Sequence, residues 1–461
     1  MGYLSAVDAT FLQLESPRTP MHVGGLMVFS LPEDAPQDYL RKLFEKIRSA
    51  PVTTYPFNCR IQPGTLLNPL PSWEKVDNID IDYHVRHSAL PYPGGERELG
   101  VLVARLHSHP IDMTRPLWEF HLIEGLENRR FAMYLKAHHS AIDGLGAMRL
   151  IKKWLSDNPN AQTTPAPWST QRKERKEAQI EKENIFKRYS AAVKNQATAT
   201  GELVQVLRKL IDPVQNPEGG IRSSLHTPKS LFNLSISAQR RLATQLYDVE
   251  RFKKISAKTG ATINDISLAI IGSAARRYLS EMNALPDNSL IASIPVGVAR
   301  PDGTPGNAVA GFVCPLLTDQ EDPIARLSTI RNITSRTKEQ MKGLSRPAVD
   351  QFALLGMSPL ILGQMTGLSS KIPPFFNMVV SNVVASKKRL YIEDAELEAM
   401  YPISLLFDGY ALNVTIVGYA DRISMGFIGC RNAVPSLQRL AVYTGEALQQ
   451  LEEALGIETP D

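Results

Sequence analysis

Cysteine is scarce: the 461 residues contain three, Cys59, Cys314 and Cys430, far apart and without a Cys-x-x-Cys pairing. That excludes a disulfide scaffold and a thiolate zinc site, and it fits a reducing compartment. An excess of one charge is also missing, since 51 Lys and Arg face 47 Asp and Glu for a net charge of +4. Nucleic acid is therefore not expected as a partner. The longest apolar stretch, Phe352 to Leu368, is interrupted by Gly356, Ser358-Pro359, Gly363 and Gln364, short of the roughly 20 apolar residues a spanning helix needs. It reads either as helices wrapped on a core or as an apolar lid or membrane-contact surface. Residues Met1 to Asp8 have neither a basic start nor an apolar run of signal-peptide length, which gives the expectation of a cytoplasmic protein. No Gly-x-Ser-x-Gly elbow, no phosphate loop ending in Gly-Lys-Ser or Gly-Lys-Thr, and no His-Glu-x-x-His is found. A serine hydrolase, a P-loop enzyme and a zinc protease are thus not indicated, and no metal site is expected.

What is present is length and apolar content. One core supports roughly 250–300 residues, so 461 residues with 43% hydrophobic side chains point to two domains. The expected division is 1–160, a mixed α/β unit; 161–240, a charged linker with crossover helices; and 241–461, a second α/β unit. Strands are expected at Val23–Phe29 and Pro116–Ile123, and helices at Gln37–Ser49 and Glu96–Ser108. Gln171 to Glu183 interleaves both charge signs with almost no apolar residue and reads as a solvated linker or exposed helix. In the second unit strands are expected near 243–249, 290–296, 308–317, 376–382, 412–419 and 422–428. A helix ends at Gly260, another begins at Thr262-Ile-Asn264-Asp265 with Asn264 or Asp265 as its N-cap, and a terminal helix spans 435–455.

One stretch carries chemistry. Phe131, Met133, Leu135 and Ala137 alternate with Ala132, Tyr134 and Lys136, a strand signature that runs into His138, His139 and Asp143-Gly144. Ala147, Leu150, Ile151, Trp154 and Leu155 then recur at helical spacing. The motif sits at a strand-to-helix junction, with the two histidines sent to opposite faces. An imidazole held there can act as a general base at neutral pH. Asp143 has two structural readings, capping the helix or pairing with an arginine, and a direct Asp-His relay is a third.

His138-His139-Ser-Ala-Ile-Asp143-Gly144 resembles the His-His-x-x-x-Asp-Gly motif of the CoA-dependent acyltransferase superfamily, which includes chloramphenicol acetyltransferase and condensation domains. Pro20-Met-His-Val-Gly24, Pro116-Leu-Trp118, Glu124-Gly125, Thr262-Ile-Asn264-Asp265, Ser381-Asn382-Val383 and Asp408-Gly-Tyr-Ala-Leu-Asn413 narrow the resemblance to the bacterial wax ester synthase/diacylglycerol acyltransferase family. One departure is Val384-Ala385, where the family usually has Pro-Gly.

The resemblance implies two pseudo-equivalent, chloramphenicol-acetyltransferase-like α/β domains with mixed sheets and an active-site tunnel between them. It implies transfer of a fatty acyl group from acyl-CoA, a substrate and not a cofactor, to a long-chain fatty alcohol or diacylglycerol. His139 would be the base, Asp143 structural, and Gly144 a point of close backbone approach, with His138 completing the motif. Asn264 is a candidate oxyanion or interface group, and Arg300 a candidate partner of Asp143. Peripheral contact with the inner face of the membrane or a lipid inclusion is expected from the water-insoluble acceptors. The competing readings are a condensation-type enzyme fed by a carrier protein and a lipid-binding or lipid-droplet protein without turnover.

Overall fold

The computed structural model describes residues 4, 6–64, 71–161, 165–170, 226–297 and 309–342, seven positions between 360 and 371, and 373–458. In the first half, α1 (Ala6–Leu14) precedes β1 (His22–Ser30), α2 (Tyr39–Arg48), the antiparallel pair β2 (Cys59–Gln62) and β3 (Ser72–Lys75), and the single turn α3 (Ile81–His84). Next come β4 (Val85–Ala89), α4 (Glu96–Ser108), β5 (Trp118–Leu126), β6 (Arg130–His138) and α5 (Gly144–Trp154). The second half holds β7 (Arg240–Asp248), α6 (Val249–Thr259), α7 (Ile263–Glu281), β8 (Ile291–Gly297), β9 (Val309–Pro315) and α8 (Pro323–Lys342). It closes with β10 (Met378–Val384), β11 (Tyr391–Ile392), β12 (Ala395–Ile403), β13 (Leu412–Tyr419), β14 (Arg422–Cys430) and α9 (Leu437–Ala454).

The strands form two six-stranded mixed sheets, ordered β11-β12-β1-β6-β5-β4 and β7-β14-β13-β10-β8-β9. β6 is central in the first because it is apolar on both faces. Phe131 and Met133 enter one core with Trp118, Trp154 and Trp168, while Ala132 and Tyr134 enter another. α6 ends where Gly260 takes φ +69°, a left-handed conformation that suits glycine.

The sheets are not divided where the chain is. β11 and β12 belong to the second half of the sequence, yet β12 pairs antiparallel with β1, so 391–403 complete the first sheet across the expected boundary at 241. One large core contains Leu26, Val103 and Tyr134 of the first half together with Leu242, Leu412 and Met425 of the second. β12 also lies so close to β14 that a Cβ at Gly426 would stand 2.2 Å from the Pro402 carbonyl oxygen.

Arg300 and the charged stretch Gln171–Glu183 lie outside the described residues, as does most of Phe352–Leu368. Of the last, Leu360 is buried beside Leu14, Phe376 and Leu405, with Phe11 packed against them. Among the described residues no helix is long and apolar enough to cross a membrane.

Candidate active site

The end of β6 is held from both sides by main-chain bonds. His138 N–H donates to the Leu117 carbonyl at 3.0 Å and His139 N–H donates to the Met21 carbonyl at 2.8 Å. Leu117 belongs to Pro116-Leu-Trp118 and Met21 to Pro20-Met-His-Val-Gly24, so two segments remote in sequence fix the backbone of the motif. Trp118 is itself anchored, donating from Nε1 to the Phe57 carbonyl at 2.9 Å and stacking on Trp168 and His84.

The two histidine rings meet different partners. The ring of His138 is buried, and its Nδ1 accepts the Ser140 N–H at 3.1 Å and lies 2.7 Å from Ser140 Oγ. Nδ1 therefore carries the lone pair, and the proton sits on Nε2, which faces Glu15 Oε2 at 3.5 Å. The same carboxylate oxygen accepts the Met21 N–H. Glu15 is thus one residue away from the bond that holds His139, and sequence reasoning missed it. It is a lone acid just beyond a short helix, with no spacing to mark it.

His139 is half-buried, and its ring stacks on Phe11 of α1 with centroids 4.4 Å apart and planes inclined by 14°. Burial pulls its pKa below the ordinary 6.5, against opposing contributions from its own main chain, Asp143 and Asp8. The imidazole is consequently neutral at neutral pH. Its stacking partner Phe11 packs against an apolar cluster that includes Met21, Phe376, Leu405, Phe407 and Tyr410.

Asp143 caps α5, its carboxylate accepting the Gly146 N–H at 2.5 Å. Gly144 is exposed, and a Cβ there would meet only Val383 Cγ1 at 3.9 Å, an ordinary contact. Among the described residues no crowding calls for glycine at this position. The same proximity carries Ser381-Asn382-Val383 of β10 to the motif, a juxtaposition of the two halves of the chain.

The N-cap of α7 is Thr262, not Asn264 or Asp265. Thr262 Oγ1 accepts the Asp265 N–H at 3.3 Å and Asp265 Oδ2 accepts the Thr262 N–H at 2.8 Å, a reciprocal capping box. The Thr-x-x-Asp spacing was a signal for it. Asp265 Oδ1 also accepts from Thr334 Oγ1 of α8 at 2.7 Å. Asn264 follows as the second residue of α7, half-buried. Asp408 is a junction as well: its carboxylate accepts Ser235 Oγ–H at 2.8 Å and Ile236 N–H at 2.9 Å and faces Arg18 at 3.3 Å.

On the face of the first sheet opposite Met133, a buried polar chain runs beneath the motif. His22 lies opposite His138 across the strands and its Nε2 is 2.7 Å from the His107 carbonyl, while His107 Nδ1 is 2.8 Å from Tyr134 Oη. Burial lowers the pKa of both His22 and His107, the latter to about 3. Lys136, wholly buried, donates to the carbonyls of Leu106 and His109 at the end of α4 and pairs with Glu119 at 3.0 Å. Burial acts to raise the Glu119 carboxyl, but His121 and Lys136 outweigh it and hold it down at about 2. Among the described residues no three His, Cys, Asp or Glu side chains converge as a metal site would require.

The chain as a whole is similar to known proteins. The model of the wax ester synthase/diacylglycerol acyltransferase catalytic domain matches residues 4–267, and that of the WS/DGAT C-terminal domain matches 305–452. Rv2285 of Mycobacterium tuberculosis, provisionally named a diacylglycerol O-acyltransferase, is 44% identical over 98% of this chain and 99% of its own. O-acyltransferase WSD of Acinetobacter baylyi is 36% identical over 98% and 97%. The solved wax ester synthase/diacylglycerol acyltransferase from Marinobacter aquaeolei VT8 superposes with a TM-score of 0.80 at 34% identity, covering 99% of this chain and all of that one. The starter condensation domain of rhizomide synthetase, at 12% identity and a TM-score of 0.58, shares the fold.

Proposed function

Since the chain belongs to the wax ester synthase/diacylglycerol acyltransferase family, we propose that its O-acyltransferase reaction moves a fatty acyl group from acyl-CoA to a long-chain alcohol or diacylglycerol with His139 as base. The observation that carries this assignment is the neutral imidazole of His139, stacked on Phe11 at the edge of an apolar cluster. Nδ1 is buried against the protein, and Nε2 is the atom we assign to the substrate.

Nε2 takes the hydroxyl proton as the acceptor oxygen attacks the thioester carbonyl. The tetrahedral oxyanion collapses, the carbon–sulfur bond breaks, and the imidazolium returns its proton to the CoA thiolate. Atoms and charges balance with acyl-CoA as substrate and without a cofactor. Holding both substrates together replaces a collision with a contact. The apolar residues around Phe11, with Leu360, keep out water that would otherwise hydrolyse the thioester. Asp143 supports the base by starting α5 in the right place, and Gly144 leaves room for a substrate to approach. Because the acceptors are insoluble in water, the enzyme works at a lipid surface.

CoA release from palmitoyl-CoA with hexadecanol or diacylglycerol, with products separated by lipid chromatography, tests the assignment. His139→Ala should lose about a hundredfold to ten-thousandfold in rate, while His138→Ala keeps part of it. Ester formation by a folded His139→Ala protein at near-parent rate would remove His139 from this role. No ester from the parent with either acceptor would favour a carrier-fed or non-catalytic protein.

A further inference from the structure

The face beside the motif combines charge and apolar exposure in a way the reaction does not use. On α5 the exposed side chains are Leu145, Arg149, Lys152 and Lys153, at spacings of four, three and one that place them on one helical stripe. The opposite side of the helix, Ile151 and Trp154, is buried. The loop after β10 runs alongside: Val383 adjoins Gly144 at the start of the helix, while at its end Ser156 bridges to Tyr391 and Lys388 pairs with Asp157 at 2.6 Å. Val384, the last residue of β10, is exposed, as are Lys387, Lys388 and Arg389 of that loop. Val384 is 69% exposed and Leu145 39% exposed, so apolar side chains reach solvent beside these cations.

The cations here are only partly matched. Lys388 has Asp157, and Arg389 has Glu396 and Asp421; for Lys152, Lys153 and Lys387 no acidic partner is recorded among the described residues. α2, the other strongly basic helix, differs. Arg41 and Lys42 face Asp38, Lys46 faces Glu393, and Arg48 faces Asp82. Among the described residues the α5 face therefore keeps a positive charge at Lys152, Lys153 and Lys387 that α2 neutralises locally.

From this juxtaposition we infer that the outer stripe of α5 and the β10–β11 loop form the surface on which the protein seats itself on an anionic lipid layer. Lys152, Lys153 and Lys387 meet the headgroups, and Leu145 and Val384 enter the boundary between headgroups and acyl chains. The inference rests on the acyl-transfer reading in one respect: seated this way, the surface brings Gly144 and the motif to the layer that holds the insoluble acceptor. A nucleotide phosphate is a poorer occupant, because the cations stand on an open face with apolar neighbours and not in a pocket that surrounds a phosphate.

Vesicle flotation of the full chain tests the surface, using phosphatidylglycerol/phosphatidylcholine vesicles and phosphatidylcholine alone, at low and high salt. The parent should float with the anionic vesicles at low salt only. The combined Lys152→Gln, Lys153→Gln and Lys387→Gln variant should bind on the order of a hundredfold more weakly, and Leu145→Ser with Val384→Ser should also weaken binding. CoA release from octanoyl-CoA with a short, soluble alcohol should stay at the parent level in both variants. Undiminished flotation of the lysine variant overturns the inference. So does a raised KM for octanoyl-CoA with flotation intact, since the cations would then hold CoA. A parent that floats and loses binding on substitution but makes no ester leaves the surface standing and removes the acyl-transfer reading instead.

Discussion

A histidine serves as a base at neutral pH only if its imidazole is unprotonated and its ring cannot turn away. Burial against Phe11 does both for His139. With His139 as the proposed base the active form is the neutral one, and its pKa lies below the ordinary 6.5, so activity is lost only as pH falls through that lowered value. The acid limb of kcat/KM, which reports the free enzyme, should have its midpoint below 6.5. A midpoint at or above 6.5 would mean that another group limits the rate. Glu15 acts one step further out, through Met21 and His138. Glu15→Ala should lower kcat about tenfold to a hundredfold, the loss of a hydrogen bond to a charged group, with KM little changed. Glu15→Gln should recover most of this, because its amide oxygen still accepts from Met21 N–H. Unchanged kcat in the alanine variant would show that the Met21–His139 bond holds without it.

At the scale of elements, β6 and α5 were legible because their signals are local. Alternation from Phe131 to Ala137 describes the strand, and Asp143 before a helical apolar spacing describes the capped start of α5. The α7 cap was misplaced because Thr262, Asn264 and Asp265 are all capping residue types, and only the reciprocal bonds distinguish Thr262. β12 pairs with β1 across most of the chain, and no local pattern carries that information. Its contact with the second sheet is nevertheless open to test. Gly426→Ala sets a Cβ against the Pro402 carbonyl, a backbone atom that cannot turn aside. The expected cost is about 1–3 kcal/mol, read as a lowered Tm, whereas Gly418→Ala on the adjacent strand, with nothing within 4 Å, serves as the control. Equal Tm values would mean that the sheets separate freely at this point.

At the scale of the whole molecule, two sheets joined by β11–β12 and by a shared core cannot be treated as independent lobes. His107 shows the same coupling in its polar contacts: it sits in the last turn of α4, lies 2.8 Å from Tyr134 of the first sheet, and stands 3.2 Å from the Ser404 carbonyl just after β12. The motif is therefore assembled by both halves of the chain. Met21 and Leu117 hold its backbone, Phe11 stacks on the His139 ring, Glu15 stands 3.5 Å from the His138 ring, and Val383 adjoins Gly144 from the second sheet.

The sequence by itself determined the elements and the chemistry, because strand alternation, helix spacing, caps and the His138–Gly144 motif are written in residues a few positions apart. Only the tertiary structure decided which sheet β12 joins, that Glu15 faces His138, and that the segment after β10 runs beside α5. Those pairings depend on burial and charge between residues distant in the chain, whose free energies are set by contacts that form when the two sheets pack together.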